Sequence, residues 1–520
     1  MKRLLFAALI VASVMPAAAQ ETYENAKIAT EDLNGTARYV GMGGAMDALG
    51  ADISTMGTNP AGIGMFRRSN VSASFGATIL GDAPDVLGAN KTYMSFDQIG
   101  FVISTNTSGV KQSFVNIGFN YHKSRNFDFI LSAADRLDNA SQNKLTYAKG
   151  INGLLYEESS SGVPLFQHPY YSCSQLDDIY ANGLNWLPGD GINDGKWIYE
   201  NATQYNLDRS HTGYVGEYDF NISGNINNRV YLGLTVGYHD VHYKHYGEYS
   251  EQLDGFQFRV ADDRQITGGG ADVKAGIIFR PIEYSPFRVG LSVSTPTFYK
   301  LTTDNYTTVT DGYETSRTSE SYEFKLYTPW KFGISLGHTI GSNVALGASY
   351  EYADYGSLDT RFITDSYYSR WYDDYVDESS SDDIMNRHTQ QTLKGVSTFK
   401  VGAEFKVTPE LALRVGYNYV SPMYDKEGFK DGTLDSDGSY YSSATDYTNW
   451  QATNRVTAGL GLNLGQLNLS AAYQLSTTNG EFHPFMNYYD NTSPENDNIA
   501  NTVKVKNNRH QLLFTLGYTF

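Results

Sequence analysis

The sequence predicts an all-β protein, a transmembrane antiparallel β-barrel of about fourteen strands with an N-terminal hatch, or plug, inside. From Asn70 onward, segments of about ten residues alternate apolar and polar positions, which is the pattern of half-buried strands. Short and long connections alternate between these segments. After Ala19, no uncharged apolar run approaches the ~20 residues that a membrane-crossing helix needs. The composition agrees, because 14% of the 520 residues are aromatic and 50 are glycine.

The last segment of the chain shows the strand pattern most clearly. Its apolar, aromatic face carries Leu512, Phe514, Leu516, Tyr518 and Phe520, and its smaller, more polar face carries Gln511, Leu513, Thr515, Gly517 and Thr519. The segment 230–239 alternates in the same way. A barrel explains both segments, with lipid outside and water or substrate inside. For any single strand, a soluble β-sandwich explains the pattern equally well.

The connections favour the barrel. Short links lie near 107–110, 225–228, 281–286, 340–342, 407–410 and 465–466, and long ones near 81–91, 134–212, 247–255, 307–317, 357–394, 424–449 and 476–503. These seven long and six short links alternate strictly, which predicts fourteen strands with all short turns at one end. In bacterial barrels that end is periplasmic and the long loops are extracellular. We therefore assign residues 70–520 to the barrel.

The first nineteen residues have the features of a signal peptide. Lys2 and Arg3 precede an apolar stretch, and three small residues end at Ala19. We predict cleavage after Ala19, export, and localisation in the bacterial outer membrane. The residue after the cleavage position is Gln20 and no cysteine lies nearby, so a lipid anchor is not predicted.

The charge balance excludes one class of partner. The formal net charge is −18 and the pI is near 5.0, whereas nucleic-acid binding requires clustered Lys and Arg. The chain has one cysteine, Cys173, so no intrachain disulfide forms. We interpret Cys173 as a buried or idle thiol.

Residues 20–69 differ from the rest of the chain. Eight glycines between Gly35 and Gly64, separated by small residues, interrupt any strand or long helix. The block is rich in Gly, Ala and Met, which favours a compact plug. The alternative, a flexible periplasmic leader, would be more polar.

Two stretches of this block form a distinctive motif, GMGGAMDALGAD at 41–52 and TNPAGIGMF at 58–66. The motif resembles the N-terminal hatch of the FadL/TodX outer-membrane transport proteins, and Asn59, Pro60 and Ala61 are its most specific part. The segments 327–337, 344–355, 398–405 and 411–419 are similar to paired mid-barrel strands of that family. The likeness fails between 134 and 212, where this chain carries a long polar insertion.

The resemblance implies a fourteen-stranded barrel, closed by a hatch, that takes up hydrophobic molecules such as long-chain fatty acids by passive diffusion. It implies no catalysis and no cofactor. We predict that Asn59, Pro60 and Ala61 hold the hatch closed and that small shifts there pass the ligand on. The alternative for these residues is a simple tight turn. Predicted partners are the hydrophobic substrate, outer-membrane lipid, lipopolysaccharide and the assembly machinery, for which Tyr518 and Phe520 form the C-terminal signal.

In FadL-like proteins a break in the third strand opens a path sideways into the bilayer. Here Lys123 and Arg125 interrupt the apolar face that runs from Val115 to Phe129. They mark either such an opening or the outer interface, where cations pair with lipopolysaccharide, and we favour the interface.

Two further groups suggest metal binding but do not fit it. His239 and His245 share one face of a strand and His242 lies on the other, so these three side chains do not converge. The acidic run from Asp373 to Asp383 lacks the EF-hand spacing, which favours a solvated loop.

Other functions remain open. A receptor for haem or another nutrient is the main alternative, although an energised receptor needs about twenty-two strands and a larger plug. A surface adhesin is the next alternative. A hydrolase is not favoured, because no convincing Ser, His and Asp arrangement is present.

Overall fold

The computed structural model describes residues 21–107, 113–151, 185–187, 196–310, 315–369, 374–432, 434, 436, 444–490 and 494–520. The predicted signal peptide and Cys173 lie outside the described residues.

In this part of the chain, fourteen antiparallel strands form one closed wall, and five of them are each broken into two pieces. The strands are β1 (Asn70–Gly81), β2 (Thr92–Asn106), β3 (Phe114–Asn126 and Phe129–Ala140), β4 (Ala202–Ile226), β5 (Val230–Gln252), β6 (Gln257–Phe279), β7 (Arg288–Ser294 and Phe298–Thr310), β8 (Thr315–Tyr327 and Lys331–Ile340), β9 (Val344–Asp354 and Asp359–Ser369), β10 (Asp374–Ser381 and Gly395–Lys406), β11 (Leu411–Val420), β12 (Tyr447–Leu464), β13 (Leu467–His483) and β14 (Val503–Thr519).

The sheet closes because β1 pairs with both β2 and β14. Ala73 of β1 lies opposite Ile99 of β2 on one side and opposite Leu516 of β14 on the other. Closure satisfies the backbone hydrogen bonds of the edge strands within the wall, which is the condition for strands in hydrocarbon. Among the described residues, no helix is long and apolar enough to cross a bilayer.

The two faces of the strands are distributed as predicted. In β14, Leu512, Phe514 and Leu516 are 42%, 48% and 48% exposed, whereas Leu513 is 1% exposed. In β5 the apolar residues Leu232 to Val236 are likewise exposed, and Thr235 between them is buried. A large apolar exterior around a polar interior is the reverse of a soluble sandwich. The barrel prediction is therefore confirmed.

The order of short and long links is also as predicted, but several long links are shorter than expected. The predicted link 134–212 contains the end of β3, helix α3 (Gln142–Ile151) and the start of β4. The link 357–394 contains parts of β9 and β10 and helix α4 (Asp383–Thr392), so most of the acidic run lies in a strand rather than in a solvated loop. The hairpins continue beyond the apolar band. There the outward face is no longer a continuous apolar band, although the ladder of hydrogen bonds goes on and apolar side chains such as Leu207 and Val260 remain buried inside.

The N-terminal segment, which we define as residues 21–69, folds inside the wall as short helices. They are α1 (Thr22–Ala29), α2 (Ala37–Gly41) and the 3₁₀ helices η1 (Ile53–Gly57) and η2 (Pro60–Met65). Thr36, Asp52 and Asn59 cap the last three by accepting hydrogen bonds from backbone N–H groups. Val40, Met42, Met46, Met56 and Ile63 are almost completely buried. The segment is thus packed against the wall, and its action as a hatch remains a prediction.

Candidate functional site

The predicted hatch residues Asn59, Pro60 and Ala61 dock on glycines of the wall. Asn59 is fully buried, and its Oδ1 accepts a hydrogen bond from the N–H of Ala61 at 3.2 Å. A Cβ added at Gly276 would lie 2.0 Å from Oδ1 of Asn59, and one added at Gly233 would lie 2.3 Å from the carbonyl carbon of Pro60. Because these two wall positions are glycines, the triplet contacts the wall directly. The contacts lie close to the short-link end, where β5 begins and β6 ends.

Helix α1 lies at the opposite, long-link end of the interior. Oγ1 of Thr22 is 2.8 Å from Oγ1 of Thr389 in α4, and the ring of Tyr23 stacks on that of Tyr424 with centroids 5.1 Å apart. Nδ2 of Asn25 donates to Oγ1 of Thr360 in β9 at 2.7 Å. The N-terminal segment therefore contacts the wall at both ends of the barrel.

A cavity of about 240 Å³ lies between these two regions. Its charged lining has six cations and four carboxylates: Lys27, Arg125, Lys331, Lys400, Arg455 and Arg509 against Glu31, Asp32, Glu217 and Glu351. Its apolar lining includes Leu33, Val396, Val420, Met423 and Trp450. The cavity thus offers cationic groups and an apolar surface in one space.

Asp32 lies at the centre of the charged part of this cavity. Its carboxylate is 3.1 Å from Arg125 of β3, 3.3 Å from Arg455 of β12 and 3.2 Å from Arg509 of β14. It also accepts a hydrogen bond from the N–H of Asn126 at 3.1 Å. Burial alone favours the neutral acid, but the three guanidinium groups outweigh it and hold the pKa of Asp32 well below its usual range. One carboxylate of the N-terminal segment therefore joins three strands of the wall.

Strand β3 is interrupted beside this cluster. Its two pieces are separated by Phe127 and Asp128, and its register against β4 shifts between Lys123 and Arg125. Pairing between β2 and β3 ends at Gln98 and His122, so the outer parts of these two neighbouring strands are not paired with each other. The prediction that Lys123 and Arg125 mark the outer membrane interface is wrong for Arg125. The register shift turns its side chain inward, where it pairs with Asp32.

The charged cluster was not predicted from the sequence. The arginines that meet Asp32 are separated from it by 93, 423 and 477 residues, so no local pattern connects them. A charged residue within a strand pattern was the available signal, and it does not identify a partner.

The other predicted site residues are distributed as follows. His239 and His245 are buried inside the barrel and the side chain of His242 is 45% exposed on the other face, as the period of two predicts. Tyr518 and Phe520 face outward, and the N–H of Phe520 donates to the carbonyl of Ser69 at 3.0 Å. Their role as an assembly signal remains a prediction.

We compared the chain with known proteins. No protein-family model and no curated protein matches it. Among solved structures, it is similar to a Pseudomonas aeruginosa FadL homologue with a TM-score of 0.50 and 11% identity, over 95% of this chain and 100% of that one. The chain has the FadL fold.

The resemblance predicted from the N-terminal motif is therefore confirmed for the fold. Two further FadL-like structures align less closely. The Ralstonia pickettii toluene transporter TbuX has a TM-score of 0.47 and 11% identity, over 94% of this chain and 99% of its own. The P. putida toluene transporter TodX has a TM-score of 0.48 and 10% identity over the same shares.

Proposed function

We propose that this FadL-like barrel is an outer-membrane channel for passive uptake of hydrophobic molecules, in particular long-chain fatty acids, and that its N-terminal segment gates it. The observation that carries this proposal is the cavity, which combines cationic groups with an apolar surface and lies beside the interruption in β3.

An ionised fatty acid has the chemistry to match this lining. Each methylene removed from water contributes about 0.8 kcal/mol, so an acyl chain against Val420, Met423 and Trp450 binds through its length. Guanidinium groups bind carboxylates through paired, charge-assisted hydrogen bonds. Arg455 and Arg509 already hold one carboxylate, that of Asp32. An uncharged hydrocarbon would use only the apolar part of the lining.

The contacts of Asn59 support a gating role for the predicted triplet. A channel that binds its ligand tightly needs a route for release, and a packed segment held by local contacts can move without unfolding the wall. Asn59, Pro60 and Ala61 touch the wall where Gly233 and Gly276 leave room. A small shift of η2 would separate these surfaces.

The outer parts of β2 and β3, which do not pair with each other, provide an exit in this proposal. Ser124 and Arg125 line the cavity and follow the last paired residue of β3. A ligand that leaves there enters the bilayer sideways and does not cross the N-terminal segment. Side-chain contacts cross this region instead of a backbone ladder: Nζ of Lys123 donates to Oγ of Ser95 at 3.0 Å, and Nδ2 of Asn34 donates to Asp97 of β2 and to the carbonyl of Lys123.

Uptake by cells tests the proposal. A strain without the gene receives the wild type, Asn59→Ala, the double variant Arg455→Gln/Arg509→Gln or the control Arg136→Gln, which changes an exposed arginine of β3. Labelled oleate, toluene and haem are offered in turn, with surface expression measured in parallel. We expect oleate uptake to fall at least tenfold without the gene and severalfold in the first two variants. Wild-type oleate uptake in the deletion strain, or loss of haem uptake alone, would overturn the proposal.

A further inference from the structure

A second cluster of buried ionisable groups lies inside the barrel, next to η1. It involves four adjacent strands, and all of its members face inward: His122 of β3, Glu217 and Asp219 of β4, His239 of β5, and Asp272 and Lys274 of β6. Glu217 is 2% exposed and Asp219 is fully buried. The proposed passage of fatty acid does not use this cluster.

Lys274 and His122 lie on opposite sides of the two β4 carboxylates. Nζ of Lys274 is 2.7 Å from Oε1 of Glu217 and 3.2 Å from Oδ1 of Asp219. The second oxygens of the same carboxylates lie toward His122, with Oε2 of Glu217 3.7 Å from Nε2 and Oδ2 of Asp219 3.9 Å from Nδ1. Lys274 thus orients both carboxylates and leaves one oxygen of each for another cation.

The charges of this cluster do not balance. Three carboxylates, those of Glu217, Asp219 and Asp272, surround one ammonium group, and each lies within 3.2 Å of it. Acidic groups therefore outnumber the ammonium group in a site shielded from solvent, where a bound cation would compensate them. Among the described residues, Oδ2 of Asp219 is buried without a hydrogen-bond partner.

A small space is kept open at the centre of these groups. Gly57, the last residue of η1, faces them, and a Cβ added there would lie 3.3 Å from Cε1 of His122, 3.4 Å from Oε1 of Glu217 and 3.5 Å from Oδ2 of Asp219. One ligand atom from each of His122, Glu217 and Asp219 lies within 4.8 Å of the other two. Tetrahedral zinc has ligands at about 2.0–2.2 Å, and hence about 3.4 Å from one another, so contraction of the longest separation by about 1.4 Å suffices.

We propose that His122, Glu217 and Asp219 form a binding site for a divalent transition-metal ion, Zn²⁺ in particular. One imidazole nitrogen and two carboxylate oxygens are a ligand set that zinc accepts, and the ion places positive charge next to the buried oxygens. His239 is the nearest candidate for a fourth ligand, since its Nδ1 is 3.8 Å from Oε2 of Glu217. Nε2 of His239 lies 3.0 Å from Oδ2 of Asp272, the kind of second contact that orients histidines bound to metals.

A cation can reach this site through the barrel, and its binding would stabilise the contact between the N-terminal segment and the wall. His122 and Glu217 line the central cavity, so a cation that enters the barrel reaches them. Because Gly57 belongs to the N-terminal segment and the three ligands belong to the wall, the bound ion lies between the two and stabilises their contact. His242 and His245 pair with Asp240 and Asp262 and do not share this site, and His122 comes from a different strand.

Metal binding to the purified mature protein in detergent tests the inference. The protein is stripped with a chelator, dialysed and titrated with Zn²⁺, and Co²⁺ is used as a spectroscopic probe of tetrahedral coordination. We expect one Zn²⁺ per chain in the wild type and at least tenfold weaker binding in His122→Gln and in Asp219→Asn. Asp219→Asn retains the size of the side chain and removes a buried charge, so the barrel should still fold.

Two further variants separate this site from adventitious binding. Gly57→Val keeps every ligand but fills the space at their centre, and it should also abolish binding. His242→Gln removes an exposed histidine that pairs with Asp240 on the other face, and it should bind Zn²⁺ as the wild type does. Absence of stoichiometric binding, equal binding in Asp219→Asn, or loss of binding in His242→Gln would overturn the inference. Because the measurement is made on purified protein, it is independent of the uptake proposal.

Discussion

Asp32 is the residue through which β3, β12 and β14 hold the N-terminal segment. Replacing it with Asn removes the carboxylate that pairs with Arg125, Arg455 and Arg509 and leaves three buried or half-buried cations close together. We expect Asp32→Asn to lower the free energy of unfolding by about 3 kcal/mol at pH 7, in the range for breaking a buried ion pair. Denaturant unfolding in detergent measures the change. The control Asp240→Asn, on a partly exposed carboxylate, should change it by less than about 1 kcal/mol.

The depressed pKa of Asp32 predicts that the stability of the fold depends on pH. The pKa of Asp32 is depressed in the folded protein and is about 3.9 in an unfolded chain. Its contribution to stability is therefore fully present above the unfolded pKa and is lost as pH falls toward the folded pKa. The difference in unfolding free energy between wild type and Asp32→Asn should be constant from about pH 8 to 5 and shrink below about pH 4. A difference that grows on acidification would contradict this account.

A substitution at Gly276 tests how Asn59, Pro60 and Ala61 dock on the wall without changing these three residues. Alanine there places a Cβ 2.0 Å from Oδ1 of Asn59, so η2 must move away from the wall. We expect Gly276→Ala to destabilise the fold by about 1–3 kcal/mol, as overpacking does, and to raise the conductance of the barrel in planar bilayers. The matched control is Gly517→Ala, whose added Cβ meets only ordinary contacts at 3.6 Å or more. Equal conductance of the two variants would argue against docking as the closed state.

At the scale of elements, the outer halves of β2 and β3 are the pair whose separation matters for transport. Cysteines at Ser95 and Lys123, in a Cys173→Ser background, allow a short cleavable cross-linker to join the two strands. We expect cross-linking to block oleate uptake severalfold and cleavage of the linker to restore it. The control pair, Ala458 and Tyr473, faces across the fully paired strands β12 and β13, and its cross-linking should have no effect. Unimpaired uptake with β2 and β3 joined would exclude the lateral exit.

The sequence predicted elements where the signal is local. β14 was predicted correctly because alternate residues from Leu512 to Phe520 are apolar whatever their partners. The long links were predicted too long because β9 continues to Ser369 with polar and apolar residues mixed on both faces, and a ladder of backbone hydrogen bonds has no side-chain signature. The inward turn of Arg125 depends on a one-residue register shift, which reverses the faces of a strand without changing its composition.

For the whole molecule, counting links predicted the number of strands and the closure of the barrel. It did not predict the side-chain contacts of the interior. The Asp32 cluster joins the N-terminal segment to three strands, so its members come together only when the cylinder closes. The proposed metal ligands need only the pairing of β3 with β4, but the register that sets His122 opposite Glu217 joins residues far apart in the sequence. The N-terminal motif indicated that residues 20–69 form a packed unit, but not that α1 reaches α4 at the long-link end.

The orientation of the cylinder determines which part of the N-terminal segment a substrate meets first. Bacterial barrels place their short turns in the periplasm, so α1 and α4 should face the outside and Asn59 the periplasm. Single cysteines at Lys426, in the link between β11 and β12, and at Ser342, in the short link between β8 and β9, test this in a Cys173→Ser background. A membrane-impermeant maleimide should label Lys426→Cys on intact cells, and Ser342→Cys only after the outer membrane is permeabilised. The reverse pattern would place Asn59 at the cell surface and α1 at the periplasmic end, and would contradict this orientation.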